Sequence, residues 1–243
     1  MTLTLQNGIF RIPAPAGVEI GIAAKPANPI DYSAGADRIR REERELLNAQ
    51  VGVPAWKIRM LNQVHGDEIV EVEAVTAADP HTMADADGMV TALSGVCLVI
   101  RTADCVPVFI YDDVRRVLGA VHSGWRGCRL DIAGRLVERM QRRYGSSPDN
   151  LAVFILPGIG PGSYTVNDDV ASYFPGHVTR KDGLILLDLP GSIRMSLVRR
   201  GIWPDRILTA AHCTLEERDL FFSHRAGHSG RNLNFGLMLD NRG

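Results

Sequence analysis

Apolar runs of strand length follow one another closely from Lys57 to Val121, and this clustering most constrains the fold. They cover Lys57 to Leu61, Glu68 to Glu73, Gly88 to Thr91, Val96 to Arg101, Val106 to Tyr111 and Arg116 to Val121. Before them, two short runs within residues 8–24, split by Pro13, Pro15 and Gly17, read as an entry hairpin. Ala36 to Gln50 lacks Gly and Pro, is rich in Arg, Glu, Leu and Ala, and meets Gly52-Val53-Pro54, so it reads as a helix with a sharp stop. After the strands, Arg129 to Tyr144 carries one apolar face, formed by Leu130, Ile132, Ala133, Leu136, Val137 and Met140, and reads as a helix packed on a sheet. Leu151 to Leu156 reads as a buried strand, Asp168 to Phe174 as a short helix, Leu184 to Leu187 as a strand, Pro190 to Arg200 as a helix entered through proline, and Asn232 to Leu239 as a last strand. Strands outnumber helices and cluster ahead of them. That order argues against a regular βαβ repeat and for an α/β (α+β) layered sandwich with mixed β-sheets, expected as a single domain over residues 1–243.

The chain is 45% hydrophobic and 23% charged, with a formal net charge of -1. Near-neutrality argues against a nucleic-acid partner, which calls for a clustered basic excess. The basic runs Arg38 to Arg44 and Arg139 to Arg143 are interleaved with Glu or apolar residues and read as solvated helix faces. The cysteines at 97, 105, 128 and 213 show no paired spacing, Met1-Thr2-Leu3-Thr4 is not an export signal, and no apolar stretch is long enough to span a membrane. A reduced cytoplasm is the expected compartment.

Chemistry concentrates in segments that each carry a soft metal ligand: Asn62-Gln63-Val64-His65-Gly66, Thr102-Ala103-Asp104-Cys105, and Ala120-Val121-His122-Ser123-Gly124-Trp125-Arg126-Gly127. Two imidazoles and a thiolate suit zinc. With no Cys-x-x-Cys to close a structural site, three ligands leave a coordination position open, as catalytic zinc requires. Taken singly, each residue has a plainer reading, the cysteine as a small buried hydrophobe and each histidine as a satisfied polar group. The glycines after His122 allow close backbone approach, the helix expected from residue 129 offers an N-terminus to an anion, and Arg126 beside it suits a phosphate or carboxylate. Asp104 is either an acid/base group or a holder of loop amides. Pro157 to Ser163 is either an anion nest or a rigid turn. Ser223, Arg225 and Arg231, near Phe221-Phe222, either line a substrate pocket or sit on a surface loop. Cys97 alternates within an apolar strand and reads as core, whereas Cys128 and Cys213 stay unassigned. His81, His177, His212, His224 and His228 show no competing ligand spacing.

From about Lys57 to Arg231 the chain resembles the laccase-domain family, also called multicopper polyphenol oxidase or peptidoglycan editing factor, whose members are described as zinc-dependent purine nucleoside phosphorylases. The resemblance rests on Leu61-Asn62-Gln63-Val64-His65-Gly66, Asp85-Ala86-Asp87-Gly88, Thr102-Ala103-Asp104-Cys105-Val106-Pro107-Val108, Val121 to Gly127, Gly158-Ile159-Gly160-Pro161 and Phe221-Phe222-Ser223. It implies a layered α/β sandwich, a zinc site on His65, Cys105 and His122, and a phosphate-binding arginine in the preceding helix, best matched by Arg44. Gln63, Arg126 and Ser223 are further substrate or phosphate candidates, and Asp104 joins the metal trio as a catalytic candidate. Two stretches depart from the family. A Gly-Gly-x-Ser turn and a Ser-Leu-Asn element are replaced by Ala23-Ala24-Lys25-Pro26-Ala27-Asn28-Pro29-Ile30, and a Cys and a Tyr-Glu-Val element by Gly160 to Val166, so that Thr165 stands where a Glu is usual.

A multicopper oxidase needs on the order of ten imidazoles. This chain has seven histidines and no His-x-His pair, so a true laccase is not expected. Copper remains a secondary candidate at the thiolate. The leading expectation is zinc-dependent phosphorolysis of a purine nucleoside (adenosine, inosine or methylthioadenosine), with or without adenosine deamination. One alternative makes Cys105 a nucleophile and His122 its base, in an amide hydrolase that edits peptidoglycan precursors. Another is a non-catalytic nucleoside-binding or partner-binding protein.

Overall fold

The computed structural model describes residues 3–23, 25, 30–75 and 83–240. Ala24, residues 26–29 of the departing N-terminal stretch and His81 lie outside the described residues. The first sheet has the strand order β1 (Thr4–Gln6), β2 (Ile9–Ile12), β3 (Val18–Ala23), β15 (Asn232–Met238), β7 (Cys97–Thr102) and β4 (Ile58–Arg59). All its neighbours are antiparallel except β4 with β7. The second runs β14 (Ile207–Thr209), β10 (Leu151–Ile155), β8 (Val106–Asp112), β9 (Val117–Ser123), β6 (Gly88–Thr91) and β5 (Ile69–Glu71), with parallel pairs at both edges. A small antiparallel sheet joins β11 (Thr165–Val166), β13 (Leu184–Leu187) and β12 (Val178–Lys181). The mixed-sheet sandwich expected from the strand clustering is the architecture found.

The two large sheets pack face to face. Ile20, Ile22, Leu98 and Ile100 of the first meet Met89, Phe109, Tyr111, Leu118 and Phe154 of the second. The outer face of the first sheet, through Cys97, Val99 and Phe235, is covered by Leu47 of α1 (Ala36–Val51). The outer face of the second, through Val108, Ile110 and Val121, is covered by α3 (Ile132–Tyr144) and α5 (Leu189–Arg199). Because β7, β8 and β9 are enclosed on both faces, their sequences read as unbroken apolar runs. Helix α1 stops at Gly52, whose φ of 76° only glycine adopts freely and whose N–H bonds the Asn48 carbonyl.

The structure also differs from the sequence-based expectation. The helix expected over 129–144 is found as α3, which starts at Ile132, and the expected turn before it is instead the short helix α2 (Trp125–Arg129), set off from α3 at Asp131 in a left-handed conformation. Arg200, the residue that caps the C-terminus of α5, holds the Asp131 carboxylate, a contact that overrides the local helical pattern. The expected 168–174 helix forms only as the short α4 (Asp168–Ala171). Strands β1, β11, β12 and β14 escaped detection because they are very short or exposed and lack a long apolar run. The basic run in α1 is not wholly solvated, since Arg44 is buried and Arg40 reaches the Asn62 side chain. Among the described residues no helix is long and apolar enough to cross a membrane.

Phe109 is fully buried between the sheets, against the bare backbone of Gly236, where a Cβ would stand 2.8 Å from its ring. Phe109→Ala is expected to cost about 3–5 kcal/mol, measured as a shift in the urea midpoint at unchanged m-value.

Candidate metal centre

Two crossovers between the large sheets and one strand end meet at a single end of the sandwich, where the strands terminate. The chain leaves β4 in the first sheet and enters β5 in the second through the loop that carries His65. It crosses again from β7 to β8 through Ala103-Asp104-Cys105, and β9 ends with His122 and Ser123. The candidate ligand atoms of His65, Cys105 and His122 all lie within 4.8 Å of one another. His65 and Asp104 take positive φ values of 62° and 86°, which persist only where surrounding contacts hold them.

For His65 the hold comes from Asp87, which is fully buried at the foot of β6. Its Oδ2 accepts the backbone N–H groups of Val64 at 3.0 Å and Gly66 at 2.7 Å, while Oδ1 lies 2.7 Å from His122 Nδ1. Burial opposes ionisation of Asp87, but the His122 ring and the two amides outweigh it and hold its pKa below the usual carboxylate range. An ionised carboxylate only accepts, so the proton sits on Nδ1 and Nε2 is left for a metal. Asp87 lies in the Asp85-Ala86-Asp87-Gly88 motif, but its role is not visible in the sequence, because nothing local links it to a histidine on another strand.

Burial disfavours the Cys105 thiolate, but hydrogen bonds and charge from His122 and His65 win and lower the thiol to about 6. The converse holds for His122, where burial opposes the cation but Asp87 and Cys105 lift its pKa to about 9. A depressed thiol between two imidazoles is the donor set zinc favours. Gly124 adds a steric requirement, since a Cβ there would stand 2.9 Å from Cys105 Sγ and 3.4 Å from His65 Cδ2. The residues therefore fit a metal.

The trio opens into a cavity of about 580 Å³ whose cationic walls are Arg101, Arg225 and Arg231. Arg101 is fixed twice. Gln63 bonds its backbone N–H and carbonyl, both at 2.8 Å, and its Nε pairs at 2.8 Å with Glu43, a wholly buried carboxylate of α1. Arg225 lies over the Tyr164 ring at 5.3 Å and donates at 2.9 Å to both the hydroxyl and carbonyl oxygens of Thr165. Burial pushes the Tyr164 phenol up to about 12. Asp104 lines the cavity with both carboxylate oxygens engaged, one by the Thr214 hydroxyl at 2.7 Å and the other by the Arg225 N–H at 2.8 Å. It holds loops in place.

Three of the remaining sequence candidates are not brought to the cavity wall. Arg44 is buried near Arg40 and Arg59, and burial and those cations lower its pKa. Arg126 turns over the Trp125 indole at 5.0 Å. Ser223 lies wholly buried beneath the loop bearing His224 and Arg225, its hydroxyl accepting the Ala226 N–H. The 157–163 stretch is a turn rather than a nest. The Ile159 amide bonds the Asp104 carbonyl, and the Gly160 amide bonds Cys213 Sγ. Cys97 is core, as expected, while Cys128 points its thiol at the Ser123 carbonyl.

Known proteins are similar to this chain in sequence and architecture. A purine nucleoside phosphorylase of Deinococcus radiodurans is 34% identical over 220 residues, covering 87% of this chain and 83% of the relative. The purine nucleoside phosphorylase YlmD of Geobacillus stearothermophilus is 35% identical over 193 residues, covering 71% and 69%. A crystal structure of YlmD from that organism superposes with a TM-score of 0.88 at 28% identity over 98% of this chain and 99% of its own. The hypothetical protein YfiH of Bacillus licheniformis gives 0.85 at 28% identity over 97% of each chain. The family model described as multi-copper polyphenol oxidoreductase laccase matches residues 30–239, a span that holds the whole His65, Cys105 and His122 site with its Asp87 anchor, and the chain belongs to that family.

Proposed function

We propose that this protein is a zinc-dependent purine nucleoside phosphorylase acting on adenosine, inosine or methylthioadenosine. The observation that carries the reading is the His65, Cys105 and His122 cluster, locked by Asp87 and opening onto an arginine-lined cavity. The likeness to relatives named purine nucleoside phosphorylases supports the substrate class.

In phosphorolysis, phosphate attacks the anomeric carbon while the purine leaves, so the site must hold an anion and stabilise the departing base. Arg225 and Arg231 supply positive charge for phosphate, joined by Arg101, which Gln63 keeps in place and whose charge is shared with Glu43. Tyr164, neutral at physiological pH, is a wall-mounted donor for the leaving base. Bound zinc supplies a Lewis acid that polarises a substrate oxygen without redox chemistry. Hydrolytic deamination is less well served. Zinc deaminases use a free glutamate as acid/base, and the carboxylate on this cavity's wall, Asp104, has both oxygens committed.

A second reading is favoured by the contact of Cys105 with His122, which also suits a thiolate nucleophile and its base in an amide hydrolase that edits peptidoglycan precursors. Metal content separates the two. The purified protein is expected to contain zinc in equal stoichiometry, measured by elemental analysis, and to release base from adenosine or inosine only with phosphate. Cys105→Ala is expected to lose both zinc and turnover. Zinc with no base release would leave a binding role, and a metal-free protein would move the case to the hydrolase.

Asp87→Asn keeps the volume but removes the charge that orients His122. Chelator competition is expected to show zinc affinity reduced roughly 10–100-fold; an unchanged affinity would refute the orienting role. The lowered Cys105 pKa has a sign that can be checked. In the metal-free protein the thiolate persists at pH 7 and is lost as pH falls through about 6, so alkylation by iodoacetamide should slow below that pH. Stoichiometric zinc should suppress alkylation at pH 7, and an unaffected rate would sink the metal assignment.

A further inference from the structure

A second cavity, of about 570 Å³, lies across β9 from the metal centre. Side chains alternate along β9, so His122 faces Cys105 while the next residue, Ser123, faces the helices and lines this other cavity. The Ser123 hydroxyl is fully buried and has no hydrogen-bond partner among the described residues. A buried donor left unpaired is costly, and a ligand oxygen in the cavity would relieve it.

The walls carry Arg129, Arg199 and Arg200 against a single carboxylate, Asp131. Arg200 is committed to Asp131 and to Glu138. Arg129 is not paired with a carboxylate among the described residues. Its guanidinium lies 4.0 Å over the Tyr173 ring, which leaves the in-plane N–H edge to donate. Arg199, exposed in the last turn of α5, likewise has no carboxylate partner among the described residues. Tyr173, Phe174 and Ile193 form the apolar part of the lining. The volume is that of a small-molecule site.

We propose that this cavity is a second anion-binding site that takes a phosphate ester, with its phosphate on Arg129, Arg199 and the Ser123 hydroxyl and its organic body against Tyr173, Phe174 and Ile193. Two guanidinium forks and a hydroxyl match the several oxygens of a phosphate better than the two of a carboxylate. The site shares a wall with the metal cavity, because α2 runs from Gly124, packed on Cys105 Sγ, to Arg129.

Calorimetric titration of the full chain with adenosine monophosphate and, separately, with inorganic phosphate tests the assignment. Binding of the monophosphate is expected to survive in Cys105→Ala and to weaken at least tenfold in Arg129→Gln/Arg199→Gln. Arg199→Gln alone, at an exposed helix position that cannot unfold the chain, should weaken it measurably. Equal affinity for inorganic phosphate would support a site that reads the head group alone, and weaker phosphate binding would support the ester. Binding lost in Cys105→Ala but intact in the arginine double variant would overturn the proposal and place the anion in the metal cavity. No binding of either probe at about 10 mM would also overturn it.

Discussion

One buried carboxylate ties the site to the fold. Asp87 sits at the start of β6 with no exposed surface, and its three acceptor contacts reach the backbone on both sides of His65 and the ring of His122. A charge so deep in the protein is tolerable only when fully satisfied. Its satisfaction fixes two of the three candidate ligands at once. The third, Cys105, gains its acidity from those two histidines, so the electrostatics of the whole cluster follow from one aspartate.

The architecture explains why the cluster sits at the strand ends. A chain that leaves one layer of a sandwich and enters the other must turn sharply, and such turns are where residues with unusual backbone angles gather. His65 and Asp104 both occupy these crossovers at positive φ. The second is held by the Asp104 carboxylate, which binds Thr214 and the amide of Arg225 and so draws the segment carrying Arg225 onto the cavity. Asp104 thus acts as a brace between distant parts of the chain.

The cavity arginines show how charge is placed rather than merely present. Arg101 lies on β7, is gripped through its backbone by Gln63 and is paired with a carboxylate from α1. Burial raises the pKa of that carboxylate, Glu43, while Arg101 opposes the rise. Arg225 donates to neutral oxygens of Thr165, so its charge is not neutralised by that contact.

What could be read in the chain and what could not divide along the range of the forces involved. The doubly enclosed strands β7, β8 and β9 announced themselves as apolar runs, α1 through its composition and its glycine stop, and the hairpin through Pro13, Pro15 and Gly17, because each depends on residues close in sequence. The metal trio was legible as ligand chemistry joined to a family resemblance. The break at Asp131, the exposed strand β12 and the three-residue strand β14, the work of Asp87 and the choice of Arg101 over Arg44 at the cavity wall were not legible. The strands are too short or too exposed to leave an apolar run, and the other three are decided by partners far away in the chain: Arg200 for Asp131, His122 for Asp87, and Glu43 with Gln63 for Arg101. Periodicity and composition determined which segments would be strands and helices and which residue types could bind a metal, whereas only the packed layers decided which of those residues meet, because burial and long-range hydrogen bonds exist only once the sheets have closed on each other.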